Sequence, residues 1–378
     1  MAKTRRKGSI RKRGEDSWQV RLSLGRNALG KRKFYTTTVT GKKADAQKEL
    51  NKRLREQDIG IFVESSKLTL NEFFNNWLES VSKIKTSART CYGHESIFNR
   101  YFRDTIGTKR LDRLEPLDIQ NVYAGLLARG LSAQTVRHAH AVMRSALKQA
   151  TRWNLISLSP ATLVELPKVH RKERRVLDGG ESRRFVEACK EIKHGLVFEF
   201  ALLTGMRPEE YLAIKWEDLD FEKKTAKVQR ALVRHKGGWS FNSPKTSRSR
   251  RTIVLPSSLV HNIVLHKQRQ TFDRLRAANL WEDHDLVFCS EFGTPLSIPN
   301  LTYRYFRPIL EKAKLPRIRL YDLRHTHATL LLVAEENPKV VSERLGHSTV
   351  VLTLDTYSHV LPTMQKQATD KLEKMIFG

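Results

Sequence analysis

Between residues 67 and 155 the chain carries helical periodicity and almost no strand signal, and that most restricts its fold. Thr69-Leu70-Asn71-Glu72 has the spacing of a capping box. Leu70, Phe73, Phe74, Trp77, Leu78 and Val81 follow on one helical face. Further helices are predicted over 89–104, 116–128 and 133–153, with Gly130 ending one and Ser132 capping the next. A segment of this kind folds as an all-helical domain, expected over 67–166.

The flanks differ from it. Residues 1–60 hold 18 Lys/Arg against 6 Asp/Glu, a balance of +12, yet they are patterned. Trp18, Val20, Leu22 and Leu24 alternate as a strand does, Asn27 to Gly30 reads as a turn, and Lys33 to Val39 returns as a second β-rich run. Ala46, Leu50 and Leu54 then share a helical stripe. The reading is a three-stranded sheet plus helix over 1–60 with basic strands, suited to lying in a DNA groove, and Arg11, Arg21 and Lys33 are its candidate contacts. Residues 61–66 and the basic stretch 167–175 read as linkers.

From 176 to 378 helix and strand signals mix. Asp178-Gly179-Gly180-Glu181 repeats the capping-box spacing, and Leu196 to Leu203 reads as a buried helix. A small antiparallel sheet is predicted from Lys227–His235, a Gly237-Gly238 turn, Trp239–Phe241 and Arg251–Leu255. Helices are predicted over 257–279, 299–313, 322–334, 338–345 and 363–376. The fold class is therefore multidomain and mainly α with α+β parts.

Charge narrows the partner. The formal net charge is +29 and the pI about 10.2, so a polyanion is needed to relieve self-repulsion. Double-stranded DNA comes first and an anionic membrane surface second. No run of about 18 apolar residues exists to span a bilayer, and the start Met1-Ala2-Lys3 lacks the apolar stretch of a signal peptide, so a cytoplasmic, nucleoid-associated location is expected. Cys91, Cys189 and Cys289 are too far apart for a disulfide framework or a C-x-x-C zinc knuckle.

Two arginines, a histidine and a tyrosine in order suggest attack on a phosphodiester: Arg207 in Thr204-Gly205-Met206-Arg207-Pro208-Glu209-Glu210, Arg324 in Asp322-Leu323-Arg324-His325, His347 in Leu345-Gly346-His347-Ser348, and Tyr357. Guanidinium forks match the nonbridging oxygens of a phosphate bidentately and stay charged. Two of them can stand in for metal ions, and no metal or cofactor is expected; His325 and His327, two apart on a helix, point about 200° apart and chelate poorly. A tyrosine hydroxyl is a weak nucleophile until cationic neighbours stabilise its phenolate. Arg137, Arg144, Arg248, Arg250 and Arg251 are further candidate phosphate contacts, and His359 reads as a packing residue.

These motifs, in this order and spacing, resemble a tyrosine recombinase of the phage-integrase family, of the three-domain arm-binding type, over essentially the whole chain. The resemblance implies a site-specific enzyme that cuts and rejoins DNA through a covalent 3′-phosphotyrosyl intermediate. Tyr357 would be the nucleophile, Arg207, Arg324 and His347 the phosphate ligands, and Lys245 the proton donor to the departing 5′ oxygen, with Glu210 orienting Arg207. It further implies core- and arm-type attachment sites, a C-shaped clamp on the core site, a tetramer in synapsis and a terminal helix packing on a neighbouring protomer. A host DNA-bending protein and an excisionase are the accessory partners. One position departs from the family: Tyr321 stands where a histidine is usual, and a neutral tyrosine accepts a proton poorly. Tyr321 would then hold the phosphate or Tyr357 by hydrogen bonding, with water or the phosphate taking the nucleophile's proton. The competing readings are a catalytically silent DNA-binding regulator and a type IB topoisomerase.

Deleting residues 1–60 is expected to leave cleavage of an isolated core site largely intact and to impair integration between complete attachment sites, because the catalytic candidates all lie beyond residue 200. Paired suicide-substrate and integration assays check this. A truncated chain that integrates as well as the intact one would make the module a dispensable basic tail.

Overall fold

The computed structural model of the chain describes residues 8–26, 30–58, 67–169, 175–235, 238–243, 250–357, 369–370 and 372–377. Its contacts divide into two units, Met1–Arg171 and Lys172–Gly378.

The first unit holds two separate apolar cores. Strands β1 (Gly8–Gly14), β2 (Ser17–Arg26) and β3 (Arg32–Thr40) form an antiparallel sheet in the order β1-β2-β3. Val20, Leu22 and Tyr35 are buried on one face, and Ala46 and Leu50 of the helix Lys43–Asp58 close the small core. β1 carries basic residues rather than an apolar alternation, which is why only β2 and β3 stand out in the sequence. Arg11, Arg21 and Lys33 are exposed. The Arg21 guanidinium lies 3.7 Å from the centre of the Phe34 ring, a contact that holds the side chain against the sheet. Residues 27–29 of the expected turn and the expected linker 61–66 lie outside the described residues.

The helical part contains the helices Leu70–Trp77, Ala88–Tyr101, Pro116–Ala128 and Ala133–Arg152. Its capping box is formed: the Glu72 amide donates to Thr69 Oγ1 at 3.2 Å and the Thr69 amide to Glu72 Oε2 at 2.8 Å. Ser132 caps the last helix through the Thr135 amide at 3.2 Å. The core is aromatic, with Phe74 stacked on Phe98 at 3.8 Å between ring centres. Arg137 and Arg144 are exposed, and Arg137 Nε donates to the Pro167 carbonyl at 2.9 Å.

In the second unit the buried helix Gly195–Thr204 runs through the largest apolar core. The helices Gly179–Lys190, Ser257–Ala277, Asp322–Val333, Pro338–Leu345 and Val350–Tyr357 accompany it. Two expectations need correction. The stretch predicted as one helix over 299–313 is Ile298–Leu301 and Arg307–Lys312 joined by a π turn at Thr302–Phe306. Pro308 explains this, because it lacks the amide that would continue the ladder. The predicted single sheet is two. β4 (Leu219–Asp220), β5 (Thr225–Val228) and β8 (Arg251–Val254) form one ladder, and β6 (Ala231–His235) and β7 (Gly238–Asn242) form a separate hairpin. The predicted strand Lys227–His235 therefore spans both. Between its halves Arg230 is tied to Asp218 and, at 2.8 Å, to Glu217, which turns the chain from one sheet to the other.

Residues 369–370 and 372–377 are helical, while Met364, Lys366 and Ala368 of the expected terminal helix lie outside the described residues, as do 170–174 of the basic linker. Among the described residues no helix is long and apolar enough to cross a membrane.

Candidate active site

The site is built on two helix ends. The helix Gly195–Thr204 stops at Gly205 (φ 65°) and the helix Pro338–Leu345 at Gly346 (φ 66°). Both glycines adopt the left-handed conformation that other residues take only under strain. The last carbonyls of a helix have no partner within it and carry the negative end of its dipole, so cationic donors are favoured there. Here those donors are arginines.

Arg324, 2% exposed, sits on the helix Asp322–Val333 and spans the two ends. Its Nη1 donates to the Gly205 carbonyl at 2.8 Å and its Nη2 to the Leu345 carbonyl at 2.7 Å. Burial, with the charge of Arg207 added, lowers its pKa to about 10, so it is still a cation at neutral pH. Arg207 lies two residues past Gly205, at the start of the short helix Pro208–Tyr211. Its Nη1 donates to Glu210 Oε1 at 2.7 Å and its Nη2 to the Gly346 carbonyl at 3.3 Å. The Glu210 carboxylate also accepts from the Arg207 amide at 3.0 Å, fixing this arginine at both ends.

His347 follows Gly346 directly, and its Nδ1 is 2.8 Å from Thr353 Oγ1. Burial first, then the charges of Arg324 and Arg207, lowers its pKa to about 3. The ring is neutral, and when the Thr353 hydroxyl donates to Nδ1 the proton resides on Nε2. Tyr321 is partly exposed, lies 5.4 Å ring to ring from His325, and is close enough to Arg207 to favour its charged form. Tyr357 ends the helix Val350–Tyr357. Its side chain, together with Lys245, Arg248 and His359, lies outside the described part of the chain. The structure thus brings Arg207, Arg324, His347, Glu210 and Tyr321 together.

Arg250 is exposed, as a phosphate contact requires, but the expectation for Arg251 is corrected. Its side chain is 7% exposed; Nη2 donates to Glu210 Oε2 at 2.9 Å and Nε to the Arg344 carbonyl at 2.6 Å. It braces Glu210 instead of meeting DNA. Two-residue alternation with buried Ile253 in β8 is the sequence signal that turns Arg251 inward.

Sequence reasoning also missed Arg344, whose Nε donates to His327 Nε2 at 3.0 Å and whose Nη2 reaches the carbonyls of Leu203 and Val254 at 3.2 and 3.1 Å. No local pattern marks it, since its partners come from three distant segments. Among the described residues no group of three His, Cys, Asp or Glu is placed to hold a metal ion. The arrangement offers two fixed guanidinium groups and a neutral imidazole, the equipment for neutralising charge that grows on a phosphate.

The Phage integrase family model matches residues 175–364, and that of the phage integrase N-terminal SAM-like domain matches residues 69–127. A Tyrosine recombinase XerC-like protein of Caldanaerobacter subterraneus subsp. tengcongensis is 28% identical, covering 96% of this chain and 97% of that one. The ICEBs1 integrase of Bacillus subtilis is 23% identical over 97% of this chain and all of its own length. Among solved structures, the Tn1549 transposon integrase in complex with transposon right end DNA aligns with a TM-score of 0.67 at 19% identity, covering 79% of this chain and 99% of that one. A lambda integrase dimer bound to a COC′ core site aligns at 0.58 and 14% identity, covering 92% and 94%.

Burial alone would raise the Glu210 carboxyl, but the charges of Arg251 and Arg207 hold it below the usual carboxylate range. A depressed folded-state pKa means that its stabilisation is complete above the unfolded value of roughly 4.3 and is lost as pH falls through the lower folded value. Glu210→Gln should therefore destabilise this unit at neutral pH by about 3–5 kcal/mol, because two guanidinium groups lose their counter-charge. The deficit should shrink in acid, where the native carboxylate is protonated as well. Denaturant unfolding at several pH values measures it, and an equal deficit at all pH values would remove the ion pair as its cause.

Proposed function

Because the chain belongs to the phage integrase family and is a tyrosine recombinase, an enzyme that cuts and rejoins DNA at specific sites, we propose that Tyr357 is its nucleophile and that Arg207, Arg324 and His347 bind the scissile phosphate. The observation that carries this reading is the pair of arginines fixed on the two glycine turns beside a neutral histidine. The clamp is preorganised, so the donors need not reorganise as charge builds on the nonbridging oxygens.

In this reading Tyr357 Oη forms a bond to phosphorus while the bond to the 5′ oxygen breaks. Lys245 supplies the proton that the 5′ oxygen takes up. The phosphodiester's energy is kept in the phosphotyrosine, so a DNA hydroxyl can reverse the step without a nucleotide cofactor. Tyr321 donates a hydrogen bond to the phosphate or to Tyr357, and the proton leaving Tyr357 goes to water or to a phosphate oxygen. The basic sheet of the first unit binds arm-type sites, with Arg11, Arg21 and Lys33 on the DNA, while Arg137, Arg144, Arg248 and Arg250 serve the core site. Four protomers join two duplexes in synapsis, with a host DNA-bending protein and an excisionase as accessory partners. The substrate pair is the attachment sites of a phage or other mobile element, the class to which the transposon and phage integrases of similar fold belong.

Tyr357→Phe should bind core-site DNA with near-native affinity and form no protein–DNA adduct that survives denaturation. An adduct in this variant removes the assignment. Arg324→Lys should lose roughly 10²-fold or more in single-turnover cleavage, since a point charge reproduces neither the fork nor its two anchors. Cleavage within a few-fold of native would argue against the bidentate clamp.

A further inference from the structure

The two glycine turns carry the carbonyls that hold Arg207 and Arg324, yet they lie about 140 residues apart in sequence, at Gly205 and Gly346. Something must set one turn against the other. Arg324 spans them but is itself the group to be placed. A further cross-link, independent of Arg207 and Arg324, is made by Arg344 and His327.

Arg344 lies in the last turn of the helix that ends at Gly346. Its Nη2 donates to the carbonyl of Leu203, at the end of the other helix, and to that of Val254, at the end of β8. Its Nε donates to His327 Nε2 at 3.0 Å, and His327 Nδ1 is 2.8 Å from the Leu202 carbonyl. These contacts decide the tautomer. An arginine Nε–H can only donate, so His327 Nε2 accepts; a carbonyl can only accept, so Nδ1 carries the proton. One neutral tautomer satisfies both bonds, and either the other tautomer or the imidazolium breaks the link to Arg344. Burial, and next the charge of Arg344, keeps the ring neutral. The imidazole also lies directly on the first turn: a Cβ added to Gly205 would stand 2.5 Å from His327 Cδ2. Arg251 extends the brace, donating to the Arg344 carbonyl and to Glu210, which holds Arg207.

We propose that His327, as its Nδ1-protonated tautomer, and Arg344 are positioning residues that fix the two glycine turns and through them the spacing of Arg207 and Arg324. The proposal rests on the assignment of those two arginines to the scissile phosphate. Neither His327 nor Arg344 needs to touch DNA, so their loss should affect the cleavage step rather than binding. A misplacement of about 1 Å in such a clamp costs up to about a hundredfold in rate.

The test uses the full-length chain on a nicked suicide core site, with core-site affinity and thermal unfolding measured alongside. His327→Phe and Arg344→Lys should cleave about ten- to a hundredfold more slowly, with affinity within about twofold of native. His327→Gln, whose amide can donate at one atom and accept at the other, should recover most of the rate. Near-native cleavage by a folded His327→Phe protein, or a loss that His327→Gln does not relieve, would overturn the proposal. Should the variants unfold, imidazole nitrogen NMR of the native protein at neutral pH decides: the Nδ1-protonated form supports the clasp, and the Nε2-protonated form or an imidazolium excludes it. Arg324→Ala serves as the control. If that variant cleaves normally, the assignment of the phosphate ligands fails; if it is inactive while the His327 and Arg344 variants are not, only the clasp fails.

Discussion

The second unit depends on arginines bonded to the carbonyl ends of two helices. Each helix stops on a left-handed glycine and leaves carbonyls that need donors. Arg324, Arg207, Arg344 and, through the Arg344 carbonyl, Arg251 supply them. Packing this many guanidinium groups together would be prohibitive by Coulomb repulsion alone. It is tolerated because the helix ends carry partial negative charge and because buried Glu210 bonds to two of the four. Burial first, and then the charges of Arg207 and Arg251, lower the proton affinities of both Arg324 and His347.

Much of this was legible in the chain. Thr69 and Glu72 form the capping box that their spacing announces, and the helix over 338–345 has the predicted bounds, with Pro338 at its start and Gly346 at its end. Arg207, Arg324 and His347 are recognisable because short motifs surround them. What the sequence hid depends on distant segments. Arg344 has no motif, because its partners lie at Leu203, Val254 and His327. The division of Lys227–His235 between two sheets follows from the bond of Arg230 to Asp218, which no local periodicity reveals. Arg251 was misread as a surface cation because it stands in a run of arginines, although its alternation with Ile253 already pointed it inward.

Under the proposed assignment, Tyr321 would reshape the proton path. A histidine at that place could take a proton near neutral pH, whereas a tyrosine there serves chiefly as a donor. The other imidazole, His347, is held neutral and of low basicity, and in the tautomer set by a donating Thr353 hydroxyl it too is a donor. Arg207, Arg324, Tyr321 and, in that tautomer, His347 are therefore better hydrogen-bond donors than proton acceptors. In the proposed roles these groups would make the phenolate and the phosphate oxygens less costly rather than act as a general base.

The buried arginines alter what the formal charge of +29 means for DNA binding. Counterion release is driven by cations that sit in solvent and neutralise phosphates. Arg251 and Arg344 are bonded inside the protein, and Arg324 is committed on two of its nitrogens to helix carbonyls. Arg251 pairs with the Glu210 carboxylate, so its charge is neutralised within the protein before DNA arrives. A charge neutralised in this way adds to the formal total without adding to the cations left in solvent, of which Arg11, Arg21, Arg144 and Arg250 are exposed examples.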